Sequence, residues 1–419
     1  MNKPRRFPAA LGLSLIALVV IGTAAVAGYV ASQSGDDATT EAGNPNNPRA
    51  TPTSSPTAEP TRAGEGASPT PTPTATSTPA PGSANGALVY AEFGEQSDRI
   101  VSFDPASGTA SEVAAVPHFP NYGITGSVSS RGAVAFLSVP TDLNSANVDQ
   151  ASYSQSELWL IPPGGSPALL TAGVDVRQAP VWNNAGDAVA VRSVTYDGDG
   201  PAESARIDLV GADGTARNLV SRSNVNTIAA LGFNEGGDTL YFAETAAGGV
   251  TIIQRVDVES GAVSEVARGG DYIELISWRV GNGQLAAIVL EPQGDAEALR
   301  RVVTIDLESG SRSLPERSDA IGNGNTFSPA WGRELSFAAE AGASARGVVV
   351  LGADGVRQLA QPGSGFDAPI AWTRDGSLLA GLHFEQFPPA RAGSAFILLS
   401  DGGRVDVPAD AEVTILGWR

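Results

Sequence analysis

From residue 86 onward the chain repeats one arrangement of short apolar segments and turns. The clearest copy has an apolar segment at residues 369–372, a turn at 373–376 and a second apolar segment at 377–382. Residues 395–399 and a last segment beyond Asp401 complete it. Four short strands joined by turns rich in Gly and Asp predict an antiparallel meander, which cannot bury its own apolar faces.

A large apolar residue ends the first strand of each copy. These residues are Val128, Trp182, Phe233, Trp278, Trp331, Trp372 and Trp418. From Trp182 onward they are 41 to 53 residues apart, which is the length of four-stranded propeller blades with variable loops. The segment 86–116 carries strands two to four without a first strand, and residues 413–419 carry a first strand alone. Together they make one blade, so the C-terminal strand is predicted to close the ring and leave no open sheet edge.

The prediction is therefore an all-β, seven-bladed β-propeller over residues 86–419, with six or eight blades as the alternatives. The repeat resembles the bacterial WD40-like, TolB-type propeller repeat, whose turn reads Trp-Ser-Pro-Asp-Gly. Residues 372–376 (Trp-Thr-Arg-Asp-Gly) match it best, residues 182–186 match loosely, and no Asp-Gly turn follows Trp331. The resemblance implies a fold and not a ligand, because the matching residues belong to turns and core.

Residues 9–31 form an uncharged apolar run that is long enough to span a bilayer. Lys3, Arg5 and Arg6 precede it, and no basic residue follows before Arg49, so we expect the C-terminal side to face outward. The prediction is a cytoplasmic stub at 1–8 and a transmembrane helix at 9–31, in a single-pass cell-membrane protein with an extracytoplasmic C-terminal domain. A cleaved signal peptide and a secreted protein are the alternative, because residues 25–27 (Ala-Val-Ala) resemble a cleavage site.

Residues 32–85 have the composition of a stalk. Residues 36–85 contain ten Pro and eleven Thr and no aromatic residue. Such a segment buries too little apolar surface to offset the loss of chain entropy on folding. We expect it to be disordered.

Composition excludes several classes of function. The net charge is -19, and all of this excess falls after residue 85, which opposes nucleic-acid binding. The chain has no cysteine, and two histidines are too few for a multi-histidine metal centre. It also lacks a Gly-x-Ser-x-Gly elbow, a His-Glu-x-x-His motif and a phosphate loop. We predict no cofactor, no metal site and no catalytic residue.

Loop length indicates which face of the propeller interacts with partners. The long connections at residues 138–155, 193–205, 291–298 and 384–394 belong to one face, called the long-loop face below, and the opposite turns are short. The candidate binding residues on or near that face are His118, Phe119, Tyr122, Asp142, Asp149, Tyr153, Tyr196, His383, Phe384, Glu385 and Phe387. The alternative is that the aromatic residues among them fill gaps between blades and that both histidines are merely exposed.

Calcium is a further candidate ligand, because residues 142–149 and 197–200 are rich in Asp and Asn. Neither segment fits an EF-hand loop, and Asp-Gly pairs also serve simply as turns.

The sequence favours a non-enzymatic binding or scaffolding module at the cell envelope, with a protein, a peptide or a glycan as its partner. The alternative is a propeller enzyme that acts on envelope or extracellular glycans through paired carboxylates.

Overall fold

The structure is a computed structural model. It describes residues 74–75, 86–145, 147–196, 202–225, 227–245, 250–269, 277–293, 296–314, 325–340, 345–352, 354–360, 362–385, 393–399 and 401–419. The predicted stub at 1–8, the predicted transmembrane helix at 9–31 and nearly all of the predicted stalk at 32–85 lie outside these residues. Within them, no helix is both long and apolar enough to cross a bilayer.

Seven antiparallel meanders form the blades, and a short parallel pairing joins blades 6 and 7 into one sheet. Blade 1 combines β2 (Leu88–Glu92), β3 (Ser97–Asp104) and β4 (Thr109–Pro117) with the last strand of the chain, β29 (Val413–Trp418). Blade 2 consists of β5 (Thr125–Val128), β6 (Val134–Ser138), β7 (Ser156–Ile161) and β8 (Ala168–Val174). Blade 3 consists of β9 (Val181–Trp182), β10 (Ala188–Tyr196), β11 (Ala202–Gly211) and β12 (Ala216–Val225).

The remaining blades follow the same plan. Blade 4 consists of β13 (Thr227–Phe233), β14 (Thr239–Thr245), β15 (Thr251–Asp257) and β16 (Val263–Arg268). Blade 5 consists of β17 (Ser277–Gly281), β18 (Gln284–Gln293), β19 (Ala296–Asp306) and β20 (Arg312–Ser313). Blade 6 consists of β21 (Thr326–Trp331), β22 (Leu335–Glu340), β23 (Ala345–Gly352) and β24 (Gly355–Ala360). Blade 7 consists of β25 (Gly365–Trp372), β26 (Leu378–Phe384), β27 (Ser394–Leu399) and β28 (Arg404–Asp406).

The first strands of the blades contact one another in a closed circle that runs β29, β5, β9, β13, β17, β21, β25 and back to β29. The count of seven blades and the closure by the C-terminal strand are confirmed. β29 pairs antiparallel with β2 from Leu88 opposite Trp418 to Glu92 opposite Val413. Beyond the ladder, Ala87 and Arg419 exchange two backbone hydrogen bonds of 2.8 and 3.0 Å.

Indole rings at the ends of the first strands tie neighbouring blades together. Trp182 donates to Ser127 O of the preceding blade at 3.2 Å, and Trp418 donates to Ala371 O at 2.9 Å. Trp372 likewise donates to the Ser336 hydroxyl at 3.0 Å. Each bond satisfies the one polar group of a residue whose ring packs in an interface. The repeated aromatic residue therefore joins blades.

Blade 5 departs from the predicted pattern. Its first strand does not end at Trp278 but continues to Gly281. A Cβ built on Gly232 of blade 4 would lie 2.6 Å from Cβ of Val280. Val280 therefore occupies the packing position expected of Trp278, because a β-branched residue two positions later on the same strand reaches the neighbouring blade.

Two predicted loops are mostly strand. β10 and β11 extend through most of residues 193–205, and β18 and β19 extend through most of 291–298. The predicted loop at 138–155 is present from residue 139 onward and contains a short helix, α1 (Val148–Ser152), whereas residues 386–392 of the fourth predicted loop lie outside the described residues. In the predicted stalk, Thr74 and Ala75 form a two-residue strand, β1, which pairs with Ala115 and Ala114 of β4.

Candidate functional site

His118 lies in the connection between blades 1 and 2 and is buried, only 1% exposed. Its Nε2 lies 3.0 Å from Oδ1 of Asp98, and its Nδ1 lies 2.8 Å from the backbone oxygen of Phe119. Asp98 also accepts backbone N–H groups from Gly94 and Ile124. His118 therefore joins loops of two blades, and the interpretation of this residue as merely exposed is wrong.

Aromatic and charged side chains from three loops meet on the long-loop face beside blades 2 and 3. We call this set the rim cluster: Tyr122, Asp149, Tyr153, Asp175 and Arg177. The Tyr122 hydroxyl donates to Oδ1 of Asp149 in the first turn of α1. Tyr153 follows Asp149 by four residues at the end of α1, so both project from the same side of this short helix. Its ring lies beneath the guanidinium of Arg177, 3.3 Å from the guanidinium carbon to the ring centroid.

Asp175 holds the guanidinium of Arg177 in place. The Nε and Nη2 atoms of Arg177 donate to the two oxygens of Asp175 at 3.0 and 2.8 Å. Asp175 is fully buried and also accepts from Arg192 at 2.7 Å. Burial alone would raise the pKa of Asp175, but Arg192 and Arg177 outweigh it and hold this pKa below its usual value. The carboxylate stays ionised, so Arg177 is a fixed cation whose side chain is 29% exposed.

Tyr122 connects the rim cluster to the core. Its ring meets that of Phe119 edge to face, with 5.7 Å between centroids, and both pack against the apolar cluster between blades 2 and 3. Burial, followed by the hydrogen bond to Asp149, raises the pKa of Tyr122. The hydroxyl is therefore a donor over the physiological range, and Asp149 itself is exposed.

Asp142 lies in the same loop, between β6 and α1, and is exposed. The charge of Asp142 acts on Glu157, which lies at the start of β7. Burial raises the pKa of Glu157, the bond from the Trp159 indole lowers it, and Asp142 raises it further. No group of three or more His, Asp or Glu side chains able to hold a metal ion occurs in the described ranges, and residues 197–200 lie outside them.

The candidate residues of blade 7 form a second group. His383 Nδ1 lies 2.8 Å from Oδ1 of the fully buried Asp367, whose Oδ2 accepts from Arg404 at 2.8 Å. Phe384 stacks on Phe366 with 4.8 Å between centroids and packs between blades, so it belongs to the core. Glu385 is exposed. Across the described residues, no hydrogen bond or ring contact joins this group to the rim cluster.

Two of the candidate residues are assigned neither to the rim cluster nor to the blade 7 group. Phe387 and the side chain of Tyr196 lie outside the described residues. Sequence analysis also missed Asp175, Arg177 and Arg192, which build the centre of the rim cluster. The signal was the Asp-Val-Arg order directly after β8, since an Asp and an Arg two residues apart can chelate each other.

Each of the four buried carboxylates of the described residues contacts the side chain of an arginine or a histidine. Glu92 pairs with Arg99, Asp98 with His118, Asp175 with two arginines, and Asp367 with His383 and Arg404. A general acid needs a carboxyl group that can take up and release a proton near neutral pH. These contacts favour structural roles for the four buried carboxylates.

The geometry above defines the class of protein: a seven-bladed β-propeller with a polar, aromatic rim on one face. No family model matches the chain, and no curated protein matches it. Solved structures do match the chain. One comes from a study of two prolyl endopeptidases, with 14% identity and a TM-score of 0.54, over 81% of this chain and 50% of that one. The chain thus spans about half the length of that enzyme.

Two further solved structures are similar to the chain. An acylaminoacyl peptidase of Pyrococcus horikoshii has 10% identity and a TM-score of 0.51, over 75% of this chain and 48% of that one. TolB from Acinetobacter baumannii has 16% identity and a TM-score of 0.45, over 78% of this chain and 81% of that one. At such identities the likeness concerns the fold alone. The observed propeller is consistent with the TolB-type repeat recognised in the sequence.

Proposed function

We propose that the chain is a binding module of the cell envelope, attached to the membrane through residues 9–31 and docking a protein or peptide on its long-loop face. The observation that carries the proposal is the stack of Tyr153, Arg177 and Asp175 within the rim cluster. Tyr and Arg are the residues most often found at the energetic centres of protein interfaces.

The rim cluster is prepared for binding before a partner arrives. Asp175 fixes the guanidinium of Arg177 through two hydrogen bonds, and the ring of Tyr153 stacks against the same guanidinium. A side chain that is already ordered loses little conformational entropy when it is covered. Arg177 can therefore contribute most of its contact energy to affinity.

Charge narrows the class of partner. The chain carries a net charge of -19, so long-range attraction favours a partner that presents a neutral or basic surface. The exposed carboxylates of Asp142, Asp149 and Glu385 add to this on the long-loop face. A folded envelope protein or a basic peptide fits both the negative charge of the chain and the aromatic contact surface of the rim cluster.

Site-specific photo-crosslinking of the full chain in its native cells tests the proposal. A photo-reactive amino acid at Gln155, exposed beside α1, should capture one protein in near-equal amount. The same probe at Arg374, exposed in a turn of the opposite face, is the control and should not capture it. Arg177→Ala should weaken capture at Gln155 by at least about tenfold, because a central arginine is worth roughly 1.4 kcal/mol or more.

Two outcomes would contradict the proposal. Identical capture from Gln155 and Arg374 would mean that the long-loop face is not the docking face. Full capture by the Arg177→Ala variant would mean that the rim cluster does not carry the binding energy. The matched substitution Arg374→Ala controls for loss of one positive charge.

A further inference from the structure

A groove opens on the face opposite the rim cluster, where blades 4 and 5 meet. Its volume is about 760 Å³. The floor is the sheet face of blade 4, and the wall is formed by the two turns of blade 5 at residues 282–283 and 306–308. Ala262, directly before the outer strand of blade 4, and Ser264 on that strand are small, which leaves the space open. Grooves of this size accept ligands of small-molecule dimensions, such as two or three sugar units.

The floor presents an aromatic ring and a fixed cation side by side. Tyr241 of β14 and Arg255 of β15 are directly opposite each other in the ladder, and Arg255 is opposite Ser264 of β16. The Nε of Arg255 donates to the Ser264 hydroxyl at 2.9 Å. Within the described residues, no ion pair involves Arg255 and no hydrogen bond involves the Tyr241 hydroxyl.

Burial raises the pKa of Tyr241, against the lowering influence of Arg255. The Tyr241 hydroxyl therefore stays protonated and can both donate and accept a hydrogen bond. A half-buried tyrosine ring also offers an apolar face of the kind on which the carbon-bound hydrogens of a sugar can rest.

Two carboxylates flank this floor in fixed positions. Oδ1 of Asp257 accepts the N–H and hydroxyl of Ser260, and Oδ1 of Asp306 accepts the same two groups of Ser309, at 2.6 to 2.7 Å. These hydrogen bonds lower the pKa of both carboxyl groups, so both are ionised acceptors. Both carboxylates belong to the residues that line the groove.

We infer that this groove binds a neutral oligosaccharide. Vicinal hydroxyl groups require alternating donors and acceptors held in fixed positions, and Arg255, Asp257 and Asp306 supply them around the ring of Tyr241. Glu308 makes the carboxylates outnumber the single cation, which disfavours sulfated or uronic-acid sugars. The site is independent of the proposed docking on the opposite face, and either can fail without the other.

Titration calorimetry on the full chain tests the inference, using a set of neutral trisaccharides: maltotriose, cellotriose and tri-N-acetylchitotriose. At least one should bind, and trigalacturonic acid should not. Tyr241→Ala should weaken the binding by about tenfold through loss of the ring contact. Asp306→Asn should weaken it to a similar degree, because one ionised acceptor is lost.

Asp104→Asn is the matched control, because Asp104 holds Ser107 in the same kind of turn on blade 1, away from the groove. It should leave affinity unchanged. Tyr241→Phe keeps the ring and tests the hydroxyl alone if Tyr241→Ala fails to fold. Failure of all three neutral trisaccharides to bind overturns the inference. So does binding of hexa-arginine that depends on Asp306, since that result would define a site for basic peptides.

Discussion

Removal of β29 should open the ring. The strand buries Val413 completely and leaves Ile415 and Leu416 each only 6% exposed. Ile415 packs in the apolar cluster between blades 7 and 1, whereas Leu416 packs in the cluster between blades 1 and 2. One strand therefore seals two interfaces, because successive side chains point to opposite faces of a sheet.

The magnitude follows from these contacts. Leu416→Ala or Ile415→Ala should each lower the free energy of unfolding by about 2–5 kcal/mol, the usual cost of such a cavity. Truncation after Glu412 removes all three buried side chains and costs on the order of 6–12 kcal/mol. That is comparable with the whole stability of a typical domain, about 5–15 kcal/mol. The truncated chain should therefore not keep a closed ring.

Urea denaturation of the full chain, followed by tryptophan fluorescence, measures these differences. Thr414→Ala is the control within the same strand, since Thr414 is only half-buried, and it should change stability by less than about 1 kcal/mol. A synthetic peptide of residues 412–419 should restore part of the lost stability, and the gain should rise with the logarithm of the peptide concentration once the site is largely occupied. If the chain truncated after Glu412 unfolds at the same urea concentration as the full chain, the argument that β29 closes and stabilises the ring is refuted.

Three further predictions concern single residues. Asp175→Asn should cost about 3–5 kcal/mol, because it leaves two arginines beneath the rim uncompensated. The folded pKa of Asp175 is lowered, so the difference from wild type should be full above pH ~4 to 5 and shrink as the pH falls further, as measured by urea denaturation across pH. Gly332→Ala should cost about 1–3 kcal/mol, since the new Cβ would lie 2.5 Å from Cγ of Trp372. Gly363→Ala, whose new Cβ would have nothing within 4 Å, should leave stability unchanged, and urea denaturation measures both variants. Burial raises the pKa of Tyr90 to about 12, so a tyrosinate absorbance difference between wild type and Tyr90→Phe should be absent below pH ~11.

The seven-bladed ring was predictable because the residues that indicate it lie within each repeat or at the two ends of the propeller domain. Each blade repeats the same strand and turn chemistry, and the missing first strand at residue 86 matches the surplus strand at residues 413–419. The end of a strand was less predictable. Trp278 suggested the end of β17, yet Val280 makes the contact, because any large side chain on that face of the strand can fill the position.

The loops and the site depended on contacts that sequence order does not reveal. Residues 193–205 are polar enough to suggest a loop, but polar side chains are equally suited to the exposed face of a long hairpin. The burial of His118 depends on Asp98, twenty positions earlier on another strand. Tyr122 and Tyr153 were predicted as candidate residues, whereas Arg177 became visible only when the fold brought it over Tyr153.

The paired backbones of Ala87 and Arg419 have a consequence for protein engineering. Because these residues are hydrogen-bonded neighbours, a short linker could join them and make the propeller covalently continuous. A new start could then be placed between β6 and α1, on the long-loop face. In such a circular permutant the chain would start and end on the face that carries the rim cluster, instead of on the opposite face. Fusions to the original chain and to the permutant would then display opposite faces of the same propeller.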